Sequence, residues 1–121
     1  MVGFIVMVDD FTNENGATRF IAGSHLWPNH PTEIPADDHQ QAAACGPAGS
    51  MIVYNGSMWH GHGANVTSRA RRSIQGAFIR RDAQSAGNLA GRMRPDTLAR
   101  TGQLATYLLD LPSDRWRNDT T

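Results

Sequence analysis

The residues best equipped for chemistry crowd into one short stretch, Trp59-His60-Gly61-His62-Gly63-Ala64-Asn65, with Arg71-Arg72-Ser73 close behind. His60 and His62 are two apart, so on a strand both imidazoles point to one face and can approach the same metal ion. Gly61 and Gly63 carry no side chains, which leaves room for a ligand or a closely approaching backbone. The same histidines can equally cap a sheet edge or satisfy a buried backbone group. The Gly63–Ala70 interval is long enough to turn the chain back, so His60 and Arg71 can lie on neighbouring antiparallel strands, about 4.8 Å apart. A metal on His60 and a guanidinium on Arg71 would then hold the two ends of a short dicarboxylate, because the planar guanidinium fork grips a carboxylate bidentately. Ser73 shares the face of Arg71 and adds a hydroxyl donor. Against this, five arginines lie between residues 69 and 81, and a solvated strand end explains Arg71 as well.

Positioning these groups requires a sheet. Gly3 to Val8 is a continuous apolar, β-rich run that stops at Asp9-Asp10 and reads as a buried strand. Asn13-Glu14-Asn15-Gly16 is a turn cluster expected to reverse the chain. Ala17 to Ala22 alternates as a second strand, ended by Gly23-Ser24. From His25 to Gly46 the pattern fails, and prolines with an alanine cluster predict a long irregular connection with one helical turn near Asp37–Ala44. A loop of that length in a small domain commonly serves as a lid. Ser50–Asn55, Met58–Gly63 and Arg71–Arg80 complete five strands. The chain then reads as loop from Asp82 through Gly91. Pro95–Leu111 is helical in pattern, with Leu98, Leu104, Leu108 and Leu111 near one face and Gly102 expected to weaken or split it. Five short strands and a terminal helix point to an antiparallel β-sandwich or barrel.

The whole chain has 121 residues, no net formal charge, 40% hydrophobic and 18% charged residues, which suits one modest soluble domain spanning 1–121. All eleven basic residues are Arg, so Schiff-base and P-loop lysine chemistry are excluded. Balanced charge argues against nucleic acid as a partner. A lone cysteine, Cys45, can form neither an internal disulfide nor a thiolate metal cluster. The apolar Val2–Val8 run lacks the basic start and length of a signal peptide, and no stretch approaches a membrane span. The expected setting is the cytoplasm, without a membrane partner.

The run Asp9-Asp10-Phe11-Thr12-x-Glu14-Asn15-Gly16-Ala17-Thr18-Arg19-Phe20-Ile21-x-Gly23-Ser24-His25-x-Trp27, with His60-Gly-x-Gly-x-Asn65 and Arg71 after it, resembles the phytanoyl-CoA dioxygenase family. The similarity spans Gly3 to about Arg80. It implies a mainly β double-stranded β-helix, jelly-roll or cupin-like, with a C-terminal helical segment over residues 92–112 behind barrel strands and a lid loop over residues 1–82. It also implies an Fe(II)- and 2-oxoglutarate-dependent dioxygenase that oxidises a small organic substrate and releases succinate and CO2. By that resemblance His60 is the distal histidine ligand of iron, and Arg71 with Ser73 binds the distal carboxylate of 2-oxoglutarate. His62 stands where the family often has a serine that touches the cosubstrate. Tyr54, Trp59 and Gln75, on strands flanking His60, are candidates for the substrate side. The Gly23-Ser24-His25 block is expected to be structural.

One departure matters more. The family's facial triad takes its first two ligands from His-x-Asp or His-x-Glu. Here the residues two after each histidine are Trp27, Thr32, Gln41, His62 and Ala64. In the family that motif lies upstream of the strand that begins here at Gly3. The chain is therefore expected to be the C-terminal part of an oxygenase, with N-terminal strands and two iron ligands before Met1, and to be inactive alone. Open sheet edges would favour a homo-oligomer. The rival expectations are a cupin-like barrel that holds metal through His60, His62 and a further histidine, and a non-catalytic barrel fragment that self-associates.

Overall fold

The computed structural model describes residues 1–28, 41–80, 82–83, 87 and 89–111, and the chain divides into two compact units, Met1–Arg81 and Asp82–Thr121. The first unit is built from six strands: β1 (Val2–Met7), β2 (Thr18–Ile21), β3 (Gln41–Ala43), β4 (Met51–Asn55), β5 (His60–His62) and β6 (Ser73–Phe78). They form two three-stranded antiparallel sheets, ordered β4-β1-β6 and β3-β2-β5.

β1 is the central strand of its sheet. Gly3, Ile5 and Met7 are buried on one face, while Phe4 and Val6 are only half-buried on the other. A run that is apolar at every position therefore buries only its alternate residues deeply. The inward residues pair with inward residues across the register: Gly3 with Tyr54, Ile5 with Ile52 and Gln75, Met7 with Ser73. Ile5, Met7, Phe11 and Ala17 form the core, and Phe20, Ala43, Ile52 and Tyr54 pack against it from both sheets. Full burial of Ile5 alone contributes about 2 kcal/mol of hydrophobic stabilisation.

Two expectations about pairing are corrected. β5 and β6 are not neighbours; they lie in different sheets. The Gly63–Ala70 interval crosses between sheets instead of closing a hairpin, with Asn65 bridged to Asn15 and Val66 N–H donating to the Glu14 carbonyl at 2.8 Å. The Asn13–Gly16 turn likewise carries the chain from one sheet to the other. Gly16 there has φ +80, and a side chain on it would meet the Gly63 carbonyl oxygen at 2.7 Å. The expected irregular connection also contains structure: a 3-10 turn at Ser24–Leu26 and the short strand β3. The helical turn expected near Asp37–Ala44 gives way to β3 at 41–43, and the remainder of it, through residue 40, lies outside the described residues.

In the second unit the expected single helix is three short ones: α1 (Leu89–Arg92), α2 (Pro95–Ala99) and α3 (Gln103–Leu108). α1 begins where a loop was expected. Pro95 opens α2, where a missing N–H costs nothing, and Gly102 is the N-cap of α3, its carbonyl accepting from Thr106 N–H at 2.9 Å. No helix among the described residues is long and apolar enough to cross a membrane.

Candidate active site

β5 is pinned before it begins. The buried Ser24 hydroxyl donates to the Ile21 carbonyl at 2.7 Å and accepts the Trp59 N–H at 2.8 Å, so the Gly23-Ser24 turn fixes where β5 starts. Trp59 packs edge-on against Trp27, with ring centroids 4.8 Å apart. Strand alternation turns Trp59 away from the face that His60 uses.

His60 sits opposite Phe20 in the β2–β5 register and His62 opposite Thr18, so all four share the inward face. The His60 ring stacks on Phe20, with centroids 5.6 Å apart, and meets the edge of Tyr54 from the facing sheet at 4.8 Å. Its Nδ1 lies 2.9 Å from the Met58 carbonyl oxygen. A carbonyl only accepts, so Nδ1 carries a proton and, in the neutral ring, Nε2 keeps the free lone pair. That nitrogen is 3.5 Å from the Tyr54 hydroxyl, at the outer limit of a hydrogen bond. Tyr54 reaches it because its ring lies across β1 at Gly3, where a methyl group would fall inside the ring.

Arg71 and Arg72 point apart. Arg72 is exposed and pairs bidentately with Asp9, its Nε 2.9 Å from Oδ2 and its Nη2 2.7 Å from Oδ1. That guanidinium holds the Asp9 carboxyl well below its usual range, at about 2. Arg71 turns inward, its guanidinium carbon 4.0 Å above the centre of the Phe11 ring. Its Nε and Nη1 are buried and have no hydrogen-bond partner among the described residues. Ser73 and Gln75 share the inward face of β6, and the Gln75 amide donates to the Ser73 hydroxyl at 3.4 Å.

Thr18 was not among the residues the sequence singled out. It is 1% exposed, and its hydroxyl, like the Arg71 nitrogens, is buried without a partner among the described residues. Its signal in the sequence was a polar residue two before Phe20, on what alternation makes the apolar face. Buried polar groups are almost always paired, so Thr18 and Arg71 are exceptions to that rule on the inward faces.

The donor set has one gap. Among the described residues no three His, Cys, Asp or Glu side chains lie close enough together to hold a metal ion. That leaves the three-histidine barrel without a third donor among these residues. His60 fits the part of a single ligand: its second nitrogen is engaged by a carbonyl, the arrangement that fixes ring orientation in metal-binding histidines.

Two facing antiparallel sheets thus carry an oriented imidazole on one and, just before the edge strand of the other, a half-buried arginine with two nitrogens unpaired among the described residues. Comparison with known proteins places the chain further. The phytanoyl-CoA dioxygenase family matches residues 1–73. A dioxygenase of Aspergillus terreus is 45% identical over 76 residues, 62% of this chain and 26% of the relative. A dioxygenase of Emericella variicolor is 40% identical over 77 residues, 64% of this chain and 26% of the relative. A third, from Talaromyces verruculosus, is 36% identical over 74 residues, 61% and 25% respectively. The chain belongs to the phytanoyl-CoA dioxygenase family. It spans about a quarter of the length of these relatives.

Proposed function

We propose that this chain supplies part of an Fe(II)/2-oxoglutarate dioxygenase site built on a double-stranded β-helix. The observation that carries this is the orientation of His60: Nδ1–H is held by the Met58 carbonyl, and Nε2 faces the Tyr54 hydroxyl of the other sheet at 3.5 Å. His60 would be one iron ligand, with the remaining ligands supplied from outside the described residues. Arg71 would pair with the distal carboxylate of 2-oxoglutarate. Ser73, His62 and the orphaned Thr18 hydroxyl are the nearby inward donors for the rest of that molecule. When bound, the metal and cosubstrate supply the oxidising chemistry, with succinate and CO2 released as a small organic substrate is oxidised. Tyr54 and Gln75 line the inward face on which such a substrate would rest.

The Arg71 guanidinium has the clearest task. Its buried Nε and Nη1 lack partners among the described residues, and a carboxylate would relieve that cost with parallel hydrogen bonds. The Phe11 ring beneath it excludes water from one side and fixes the plane of approach.

The test is anaerobic titration of the purified chain with 2-oxoglutarate, with and without Fe(II). Arg71→Ala is expected to abolish binding, and His60→Ala to abolish only the iron-dependent part. Equal binding by wild type and both variants would overturn the proposal. A second reading, a β unit that self-associates without catalysis, is supported by the exposed apolar residues Met51, Val53, Ile74 and Phe78.

A further inference from the structure

Residue 72 is held by one carboxylate through both its main chain and its side chain. Its backbone N–H donates to Asp9 Oδ2 at 2.8 Å, its Nε to the same oxygen at 2.9 Å, and its Nη2 to Oδ1 at 2.7 Å. Its carbonyl in turn accepts the Val8 N–H at 3.1 Å and the Asp9 N–H at 3.4 Å. These bonds fasten the end of β1 to the approach to β6. With residue 72 turned outward and its backbone locked, alternation leaves Arg71 only the inward direction.

The same segment builds the floor that Arg71 lies on. Two residues after Asp9, Phe11 turns inward, and its backbone is pinned by reciprocal bonds with Gly46 at 2.8 and 3.0 Å. Asp10 accepts the Ala48 N–H at 2.7 Å and steadies the same stretch. Asp9 therefore stands between a locked Arg72 and a fixed Phe11 ring, and Arg71 spans the two. An arginine has much rotamer freedom to lose on binding, so a site that orders it beforehand binds an anion more tightly.

We propose that the Asp9–Arg72 pair is a positioning device for Arg71, holding its guanidinium over Phe11 so that a dicarboxylate meets a preset fork. The proposal deepens the anion-binding reading of Arg71 and rests on it. Asp9 and Arg72 are positioning residues, since neither is placed to touch the ligand. A pair that merely tied two strand ends together would leave Arg71 where it is when the side chains are changed.

The experiment is NMR of the purified chain, with 2-oxoglutarate as probe. In the wild type the Phe11 ring, 4.0 Å beneath the guanidinium, is expected to shift the Arg71 Nε–H and Cδ protons, and the probe is expected to move these signals. Asp9→Asn and Arg72→Ala are expected to keep the amide pattern of the β1–β4 ladder. They should return the Arg71 signals to ordinary arginine positions and weaken binding of the probe about tenfold or more. Arg72→Lys keeps a cation without the fork and is expected to match Arg72→Ala; if Asp9→Asn fails to fold, this variant decides. Wild-type Arg71 shifts in a folded variant would overturn the proposal. If the probe leaves the wild-type Arg71 signals unmoved, the anion-binding reading fails, and the ring shift in the variants still decides the positioning role.

Discussion

His60 owes its orientation to contacts on three sides: a carbonyl on Nδ1, Phe20 on its face and Tyr54 at its edge. The third of these depends on an absent side chain, because the Tyr54 ring occupies the space a Cβ on Gly3 would need. Gly3→Ala is therefore expected to displace Tyr54 and destabilise the fold by roughly 1–3 kcal/mol, the usual cost of overpacking. Tyr54→Phe keeps the ring and should cost far less. Urea unfolding of the two variants checks this, and equal stability of Gly3→Ala and wild type would count against it. Asp9 makes a prediction in pH. Its folded pKa, about 2, lies below the ordinary 3.8, so the unfolded chain binds the proton first. The stability it contributes is complete above the unfolded value and is lost as pH falls through about 2. The difference in thermal stability between wild type and Asp9→Asn should be constant near neutrality and shrink between pH 4 and 2. A difference that persists at low pH would mean the ion pair is not its source.

At the scale of elements, the turn at Ser24 governs β5. Its hydroxyl serves one acceptor and one donor, so Ser24→Ala leaves the Trp59 N–H and the Ile21 carbonyl short of a partner. The expected cost is about 1–3 kcal/mol by chemical denaturation, with loss of the Trp27–Trp59 edge contact visible in tryptophan fluorescence. Unchanged stability would show that β5 is anchored elsewhere. Where strands form was largely legible in the sequence, because β1, β2, β4 and β6 carry β-branched or alternating apolar residues. β3 was not: Gln41-Ala42-Ala43 has no strand signal, and its conformation comes from pairing with Arg19–Ile21. The partition into sheets was not legible either. Loop length permits β5 and β6 to be neighbours, but only long-range contacts such as Asn15 with Asn65 decide otherwise. His60 and Arg71 stand out by residue type, whereas the spacing argument that put them on neighbouring strands fails because β5 and β6 lie in different sheets. Thr18 offered only a polar residue on an otherwise apolar face, and that its buried hydroxyl has no partner among the described residues is a property of packing.

For the molecule as a whole, the outer face of the β4-β1-β6 sheet sets the solution behaviour. Val53 is 64% exposed, Ile74 60% and Phe78 51%, with Met51 and Val2 on the same face and Phe4 tilted against Phe78. An apolar sheet face in water, together with edges of β3 and β4 that have no further strand among the described residues, favours association. Sizing chromatography of the purified 121-residue chain is expected to show dimers or larger species, and charged substitutions at Val53 and Ile74 should return it to a monomer. The same chain is expected to give no 2-oxoglutarate turnover. Among the described residues His60 is the one ligand with an oriented lone pair and His62 the nearby substitute, so these residues would hold a metal by at most two imidazoles and no carboxylate. Affinity for a divalent ion falls steeply as ligands are lost, and iron without a carboxylate lacks the group that fixes its geometry and offsets its charge. Succinate release measured with added Fe(II), ascorbate and 2-oxoglutarate should match the protein-free control. Release that depends on iron and disappears in His60→Ala would refute this, and would mean that Asp10 or a histidine of a second copy completes the site within an oligomer.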